Sequence, residues 1–390
     1  MSTWIFGMAG TGKTTFMAHE ILRDLEDGNG VIVLDPNGDL SDAVLSRCPK
    51  RRTRDVLIID PTDDMPVGFN PLSGISNKPR VAELLKDTIK ELAGYDRTPT
   101  PLMERVLYNS VAALLEYPGA TLLDLEPMLI DKAFRSRVLE HVSDTYVLRR
   151  FAYWDTFAAK EFRQTISSSE NKAGDFSEDP RIRHILGQQS TFDLSTMLFD
   201  QKVIILRLPR LELGAKSRML GSLFLAYLLV VAARRGPLPP VPIYIDDCNE
   251  FDTPPLRQLL SQSERLGLPV TVSNQYLDQL SIELRASLFG NCQRRVMFRT
   301  GVADSAELHR TIPENNTEAK LHTRLPWKPM YFDGKYTSRI ESIEIPSLNQ
   351  GSTHRKSLIV RSSRRQYGSI RQKVEESLLA ACREKDSQGK

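Results

Sequence analysis

A nine-residue segment near the start of the chain, residues 7–15, has the sequence Gly-Met-Ala-Gly-Thr-Gly-Lys-Thr-Thr. It has the Walker A spacing, in which two glycines separated by four residues are followed by lysine and threonine. An apolar run at residues 4–6 precedes it, and Met17, Ile21 and Leu25 follow at helical spacing. A glycine-rich loop between a buried strand and a helix N-terminus exposes backbone N–H groups that bind phosphate. This context predicts an α/β fold with a phosphate-binding loop, and a chance glycine-rich turn would not be expected to have both neighbours.

The loop predicts a site for a magnesium nucleotide. Lys13 is expected to place its charge on the β- and γ-phosphate oxygens, and Thr14 is expected to ligate Mg²⁺ through its hydroxyl. Contacts with the phosphates are predicted for the whole loop, which comprises Gly7, Met8, Ala9, Gly10, Thr11, Gly12, Lys13, Thr14 and Thr15. The predicted cofactors are therefore ATP and Mg²⁺.

Apolar runs without polar alternation recur along the chain and alternate with helical patterns. They lie at residues 31–34, 56–60, 203–208, 243–245, 270–272 and 296–298. A strand that is apolar on both sides belongs in a parallel sheet that helices cover on both faces. We therefore predict an α/β P-loop NTPase fold with a mostly parallel central sheet.

Residues 79–189 break this alternation, because they show helical periodicity without a strand pattern. They predict an all-helical subdomain inserted between residues 1–78 and 190–325, which form the P-loop ATPase domain. Residues 326–390 are predicted to be a basic C-terminal extension. The net charge of the chain is only +3, so a surface for a polyanion has to be a local patch. The insertion offers a candidate patch, although its arginines are otherwise typical of a solvated helix face: Arg135, Arg137, Arg149, Arg150, Arg163, Arg181 and Arg183.

The sequence predicts a cytoplasmic protein without a membrane span. The most apolar run, residues 219–233, is shorter than the roughly 20 residues that cross a bilayer, so a buried helix is expected. The phosphate loop follows Met1 too closely for a signal peptide, and the cysteines have no paired spacing.

Two adjacent aspartates follow the apolar strand at residues 243–245. Asp246 is predicted to be the Walker B ligand of Mg²⁺, and Asp247 is predicted to be the base that orients the attacking water. Glu250 remains an alternative base, and helix capping remains an alternative role for the two aspartates. Paired carboxylates at the end of so apolar a strand favour the catalytic interpretation.

The next two strands add polar candidates. The strand at residues 269–273 ends at Asn274 and Gln275. Gln275 is expected to sense the γ-phosphate or hold the water, unless the pair only forms a turn. The strand at residues 296–298 is flanked by three candidates for an arginine finger that completes a neighbouring subunit's site: Arg294, Arg295 and Arg299. Arg299 is the preferred candidate.

Six segments together resemble the HerA/FtsK superfamily of ring ATPases and, within it, the type IV coupling proteins of conjugation (TraG/TraD-like). They are GMAGTGKTT at 7–15, VIVLDPNGDL at 31–40, DVLIIDPTDDMPVGFNPL at 55–72, PIYIDDCNEF at 242–251, SERLGLPVTVSNQYLDQL at 263–280 and GNCQRRVMFRTGVADSAEL at 290–308. The resemblance covers most of residues 1–310, and the helical insertion lies where such proteins carry an all-α domain. This chain has Asp246-Asp247 where the family usually has Asp-Glu.

The resemblance implies a RecA-like P-loop NTPase fold. It also implies ATP-driven translocation of DNA by a hexameric ring with the DNA in its central pore. It matches Lys13 and Thr14 to the Walker A pair, Asp246 to the Walker B aspartate, and Gln275 to the family's sensor glutamine. The expected partners are DNA bound without sequence preference, further copies of the chain, and a relaxase or secretion channel. The transmembrane region of many coupling proteins is not expected here, so association with the inner membrane would be peripheral.

Two other functions are compatible with the site. A nucleotide-binding interaction module with little hydrolysis is the main alternative, because Asp247 is one methylene shorter than the usual glutamate. Small-molecule phosphotransfer is disfavoured by the long separation of the Walker motifs. The intact Walker A motif, Asp246 and Gln275 favour the hydrolysing translocase.

Overall fold

The computed structural model describes residues 1–74, 77–94, 99–234, 239–309, 321–333, 340–342 and 345–387. Its strands are β1 (Thr3–Phe6), β2 (Val31–Asp35), β3 (Val56–Ile59), β4 (Val203–Arg207), β5 (Ile243–Ile245), β6 (Val270–Asn274), β7 (Arg294–Met297), β8 (Met330–Asp333) and β9 (Ile340–Ser342). Within the described residues they form one sheet in the order β3-β4-β2-β5-β6-β1-β7-β8-β9. Strands β1 to β7 pair in parallel, while β8 and β9 pair antiparallel. The predicted mostly parallel sheet is confirmed.

Both faces of the central strands are buried, which explains their unbroken apolar sequences. In β1, Trp4 and Phe6 belong to a large apolar cluster on one face, whereas Ile5 belongs to a smaller cluster on the other face. In β2, Ile32 and Val33 divide between the two clusters in the same way. Burying an apolar side chain of this size contributes about 1.5–3 kcal/mol, so such strands are stable only between two helical layers.

Helices provide these layers. They are α1 (Lys13–Asp27), α2 (Asp39–Leu45), α3 (Lys78–Leu92), α4 (Pro101–Leu114), α5 (Leu125–Ile130), α6 (Lys132–Leu139), α7 (Thr145–Trp154), α8 (Ala159–Gly174), α9 (Pro180–Leu186), α10 (Leu194–Phe199), α11 (Arg210–Leu213), α12 (Ala215–Ala232), α13 (Pro254–Gln262), α14 (Ile282–Asn291), α15 (Val302–His309), α16 (Thr353–Tyr367) and α17 (Arg371–Ser387). The apolar side chains of α1, α2 and α16 join the smaller cluster, and those of α3, α12 and α13 join the larger one.

Helices α3 to α10 occupy the chain between β3 and β4, and the described residues there contain no strand. Helix α4 packs against α3 and α8, and α3 in turn packs against α12. The larger apolar cluster continues through this segment without a break. The boundaries of a separate subdomain at residues 79 and 189 therefore stay a prediction.

Helix α12 is the one helix in the described ranges that is long and apolar enough to cross a membrane. Within the protein, 78% of it is buried, and it packs against α3 and α13. It is a core helix of the fold, as the length of its apolar run predicts.

The segment after residue 325 adds two strands and two helices to this architecture. Strand β8 pairs with β7, and α16 packs against β3 at the other edge of the sheet. The backbone N–H of Ile58 in β3 donates to Oγ of Ser363 in α16 at 2.9 Å, which satisfies a donor that an edge strand leaves unpaired. Lys335 and Arg339, two basic residues of the predicted C-terminal extension, lie outside the described residues.

Candidate active site

The phosphate loop lies at the carboxyl end of β1 and leads directly into α1. A Cβ atom on Gly7 would lie 2.5 Å from Cβ of Phe298, so only glycine allows the loop to pass this close to the end of β7. The backbone N–H of Met8 donates to the carbonyl oxygen of Arg299 at 2.9 Å. Helix α1 begins at Lys13, and the unpaired N–H groups of its first turn suit an anion in the loop.

The side chain of Lys13 is buried in the loop. Its Nζ donates to the carbonyl oxygens of Gly7 at 2.6 Å and Met8 at 3.1 Å. Burial lowers the pKa of Lys13, while the nearby carboxylates of Asp247 and Asp246 raise it. A phosphate oxygen in the loop would give this ammonium group the charged partner that the loop carbonyls do not provide.

Thr14 and Asp246 come together where Mg²⁺ is predicted. Oγ1 of Thr14 lies 3.4 Å from Oδ2 of Asp246. Burial and the neighbouring Asp247 raise the pKa of Asp246 to about 6, so a bound cation would favour the ionised form that ligates metal. The described part of the chain has no group of three or more His, Cys, Asp or Glu side chains that would enclose a metal ion. One carboxylate and one hydroxyl fit Mg²⁺, which keeps several waters and takes its other oxygens from phosphates.

Ser273 in β6 supports both aspartates. Its Oγ donates to Oδ1 of Asp246 and accepts from the backbone N–H of Asp247 at 3.0 Å. The sequence analysis missed Ser273, although a hydroxyl residue near the end of a buried strand is a usable signal.

Asp247 is held by two amide side chains. Its backbone is left-handed, with φ 42° and ψ 61°, which is uncommon for a residue other than glycine. Nδ2 of Asn37 donates to Oδ2 of Asp247 at 2.9 Å, and Nε2 of Gln275 lies 3.4 and 3.5 Å from its two carboxylate oxygens. The structure therefore brings the predicted base and the predicted sensor into contact. Asn37 is a third member that the sequence analysis did not single out.

Asn274 and Gln275 have different surroundings at the end of β6. Asn274 is fully buried, accepts from Nε1 of Trp4 at 2.6 Å and donates to the carbonyl oxygen of Tyr276 at 2.9 Å. Adjacent side chains of a strand point to opposite faces, and Gln275 accordingly faces Asp247. Asn274 supports the strand, and Gln275 is available to the site.

The carboxylate of Glu250 already has partners within the protein. It forms an ion pair with Arg210 and accepts from Nδ2 of Asn249 at 3.1 Å. This favours Asp247 over Glu250 as the base, and the assignment stays a prediction.

The three candidates for the arginine finger lie on β7 or just after it. Arg299 follows the strand at the edge where the phosphate loop lies, and its guanidinium has no hydrogen-bond or ion-pair partner in the described part of the chain. Arg295 is partly buried, with its guanidinium over the rings of Phe289 and Phe332. Arg294 is the first residue of β7, so it lies at the end of the strand away from the phosphate loop. A role for Arg299 in a neighbouring subunit's site stays a prediction.

Three arginines of the predicted basic patch make contacts within the protein. Arg135 is buried against carbonyl oxygens of α5, and Arg181 and Arg183 form ion pairs with acidic neighbours. Arg149 and Arg163 are exposed on α7 and α8. The patch that is available to a polyanion is therefore smaller than the sequence suggests.

Trp327 reaches the phosphate loop from a distant part of the chain. Its backbone N–H donates to the carbonyl oxygen of Thr11 at 3.0 Å. Its indole lies against Gly12, where a Cβ atom would be 3.1 Å from the ring. The residue is 41% exposed, so solvent and ligands reach it. No local sequence pattern predicts this contact.

Comparisons with known proteins agree with this architecture. The family described as the central domain of the helicase HerA matches residues 1–207, which is more than half of the chain. No curated protein matches the chain. Among solved structures, the bacterial conjugative coupling protein TrwBdeltaN70 is 14% identical with a TM-score of 0.67, over 90% of this chain and 86% of that chain. TrwB in complex with ADP and Mg²⁺ gives 15% identity and a TM-score of 0.67 over the same 90% and 86%. VirB4 of Thermoanaerobacter pseudethanolicus gives 13% identity and a TM-score of 0.60, over 91% of this chain and 90% of that chain.

The structural matches confirm the predicted RecA-like P-loop fold, and at these identities they concern the fold alone. The family match confirms the predicted resemblance to the HerA/FtsK superfamily over residues 1–207. The chain therefore belongs to the family described as the central domain of the helicase HerA, and it has the fold of the P-loop ATPases.

Proposed function

We propose that this protein is an ATP-hydrolysing DNA translocase that acts as a ring oligomer and resembles the conjugative coupling proteins. The observation that carries the proposal is the contact between Asp247 and Gln275, at the same edge of the sheet as Lys13 and Thr14. A carboxylate and an amide beside the phosphate loop are suited to hold an attacking water. A site that only bound nucleotide would not need them.

The residues of the site have two roles in hydrolysis: some neutralise the charge of the phosphates, and others position the water. Lys13 and the loop N–H groups neutralise the phosphate oxygens, and Mg²⁺ held by Thr14 and Asp246 would offset further charge when bound. Asp247 and Gln275 orient the water. The water oxygen forms a bond to the γ-phosphorus while the bond to the bridging oxygen breaks, giving ADP and phosphate. One water proton passes to the Asp247 carboxylate and from there to solvent, and the other stays on the phosphate.

DNA as the moved substrate is supported by the family and the fold. The family is named for a helicase, and TrwB is described as a bacterial conjugative coupling protein. Arg149 and Arg163 on the surface of the helical segment provide local positive charge for phosphate contacts. Arg299, whose guanidinium has no partner among the described residues, suits a ring in which one subunit completes the next subunit's site. A relaxase or secretion channel would be the further partner, with the protein in the cytoplasm or peripheral at the inner membrane.

The alternative is an interaction module that binds nucleotide and barely hydrolyses it. The short side chain of Asp247 favours this function, because a glutamate would reach one methylene further. The amides of Asn37 and Gln275 on the Asp247 carboxylate favour hydrolysis.

Phosphate release from ATP, measured with and without DNA, tests the proposal. The wild-type protein should turn over ATP, DNA should stimulate it, and Lys13→Ala and Asp247→Asn should lose the activity. Nucleotide binding without turnover in both conditions would favour the interaction module. Turnover that DNA leaves unchanged would contradict the translocase.

A further inference from the structure

The turn that follows β2 is rigidly built around one buried carboxylate. Oδ1 of Asp35 accepts from the backbone N–H of Asn37 at 3.0 Å and of Gly38 at 2.8 Å, and Oδ2 accepts from that of Ser41 at 2.7 Å. Asp35 is fully buried. Its bonds join the end of β2 to the first turn of α2, so the backbone of Asn37 is fixed while its side chain is exposed at the carboxyl edge of the sheet.

The fixed Asn37 reaches the end of the neighbouring strand β5. Strand β2 pairs with β5 in parallel, so the two carboxyl ends meet. There, Nδ2 of Asn37 donates to Oδ2 of Asp247 at 2.9 Å. On the other side of β5, Ser273 accepts the Asp247 backbone N–H, and Gln275 lies beside the same carboxylate.

We propose that Asn37 is a positioning residue for ATP hydrolysis, which holds the short carboxylate of Asp247 toward the attacking water. The inference rests on the proposed function. The left-handed backbone of Asp247 is disfavoured for an L-residue, so it persists only where its surroundings hold it. Asn37 and Ser273 hold it at the side chain and the backbone respectively.

An amide suits this role better than a cationic side chain. An arginine or lysine beside Asp247 would form an ion pair with its carboxylate and draw that carboxylate away from the water. The neutral Asn37 uses one lone pair of one carboxylate oxygen and leaves the others for water. It would also not compete with Lys13 for the phosphates.

The test compares Asn37→Ala and the isosteric Asn37→Asp with wild type and with a matched control in the same turn, Asp39→Asn. Asp39 is exposed and does not contact Asp247 in the described structure. We expect Asn37→Ala to lower the kcat of ATP hydrolysis roughly 10- to 100-fold, the effect of losing one hydrogen bond to a charged group. Asn37→Asp should lower kcat at least as much, because its carboxylate also repels that of Asp247. The KM for ATP and the thermal unfolding temperature should stay at the wild-type values, and Asp39→Asn should leave kcat unchanged.

Repeating the Asn37→Ala comparison in a protein that carries Asp247→Glu distinguishes a positioning role of Asn37 from a merely structural one. In Asp247→Glu the longer side chain reaches further, so the penalty of Asn37→Ala on kcat should become much smaller than in the wild-type background. An equal loss of kcat in both backgrounds would overturn the inference. A higher kcat in Asn37→Ala than in the wild type would also overturn it, because Asn37 would then inhibit hydrolysis. Wild-type turnover without DNA stimulation would contradict the translocase while leaving this comparison intact. A wild-type protein that does not hydrolyse ATP under either condition would overturn both.

Discussion

Nε2 of Gln275 lies 3.4 Å from Oδ1 of Asp247, although the two residues are 28 positions apart in the chain. The contact arises because β5 and β6 are parallel neighbours, so their carboxyl ends meet at one edge of the sheet. Strand β6 also lies between β5 and β1, which carries the phosphate loop. Gln275, at the end of β6, therefore lies between the strand that carries the predicted base and the strand that carries the phosphate loop.

Asp247→Asn should lower the kcat of ATP hydrolysis by about 100-fold or more, because an amide is a much weaker proton acceptor than a carboxylate. Nucleotide affinity should change little, since Asp247 does not belong to the phosphate loop. The matched control is Glu250→Gln, which should keep near-wild-type turnover because Glu250 is paired with Arg210. A neutral Asp247→Asn together with an inactive Glu250→Gln would identify Glu250 as the base.

Lys13→Ala should abolish ATP turnover and weaken nucleotide binding by roughly 100-fold, about the effect of losing charged hydrogen bonds to phosphate. The fold should persist, because the Lys13 side chain contacts loop carbonyls and not the apolar core. Titration with a fluorescent ATP analogue measures the affinity, and thermal unfolding checks the fold. The exposed Lys132→Ala provides a control of equal charge change. Normal affinity in Lys13→Ala would contradict the Walker A assignment.

Arg299→Ala should reduce kcat by roughly 1,000-fold or more if the residue is an arginine finger, with ATP binding unchanged. Mixing this variant with Lys13→Ala should restore part of the activity, because each mixed interface can then combine an intact loop with an intact finger. Steady-state turnover of the mixture at several ratios measures the effect. A monomeric protein with normal turnover would exclude action in trans.

Nucleotide binding should change the fluorescence of Trp327, since its indole lies against Gly12 of the phosphate loop and is 41% exposed. The other two tryptophans, Trp4 and Trp154, are buried and should respond little. Titrating ATP with emission as the readout should give a signal that Trp327→Phe removes while binding is retained. An unchanged signal in Trp327→Phe would show that the reporter lies elsewhere.

DNA binding should show little sequence preference and should weaken steeply with salt. Phosphate contacts release counterions, so the logarithm of the affinity should fall with a slope near −0.9 per phosphate contact on duplex. Binding to unrelated duplex and single-stranded oligonucleotides, measured at several salt concentrations with a non-hydrolysable nucleotide, tests this. Full affinity should require the oligomer, because one subunit supplies few contacts. No binding at low salt by an assembled, nucleotide-loaded protein would favour the interaction module.

The Walker A loop could be predicted from sequence because its chemistry is local. Glycines, Lys13 and Thr14 are consecutive, and the strand and helix that position them adjoin them directly in the chain. The parallel sheet could also be predicted, since its strands are apolar on both sides. Asp246 and Gln275 were predicted by one rule, that polar residues at the ends of buried parallel strands share an edge.

The remaining members of the site depend on which strands are neighbours, and that order is decided by the packing of the crossover helices. Asn37 follows the same rule as Gln275, but only the pairing of β2 with β5 places it on Asp247. The sequence already favoured Asp247 over Glu250 as the base, and the ion pair of Glu250 with Arg210 adds support that only the tertiary structure could give. Trp327 meets Gly12 because β8 pairs with β7 beside β1. The sequence by itself determined the fold class and the phosphate-binding loop, whose residues are contiguous. Only the tertiary structure decided what surrounds Asp247, because those contacts join strand ends that are far apart in the chain.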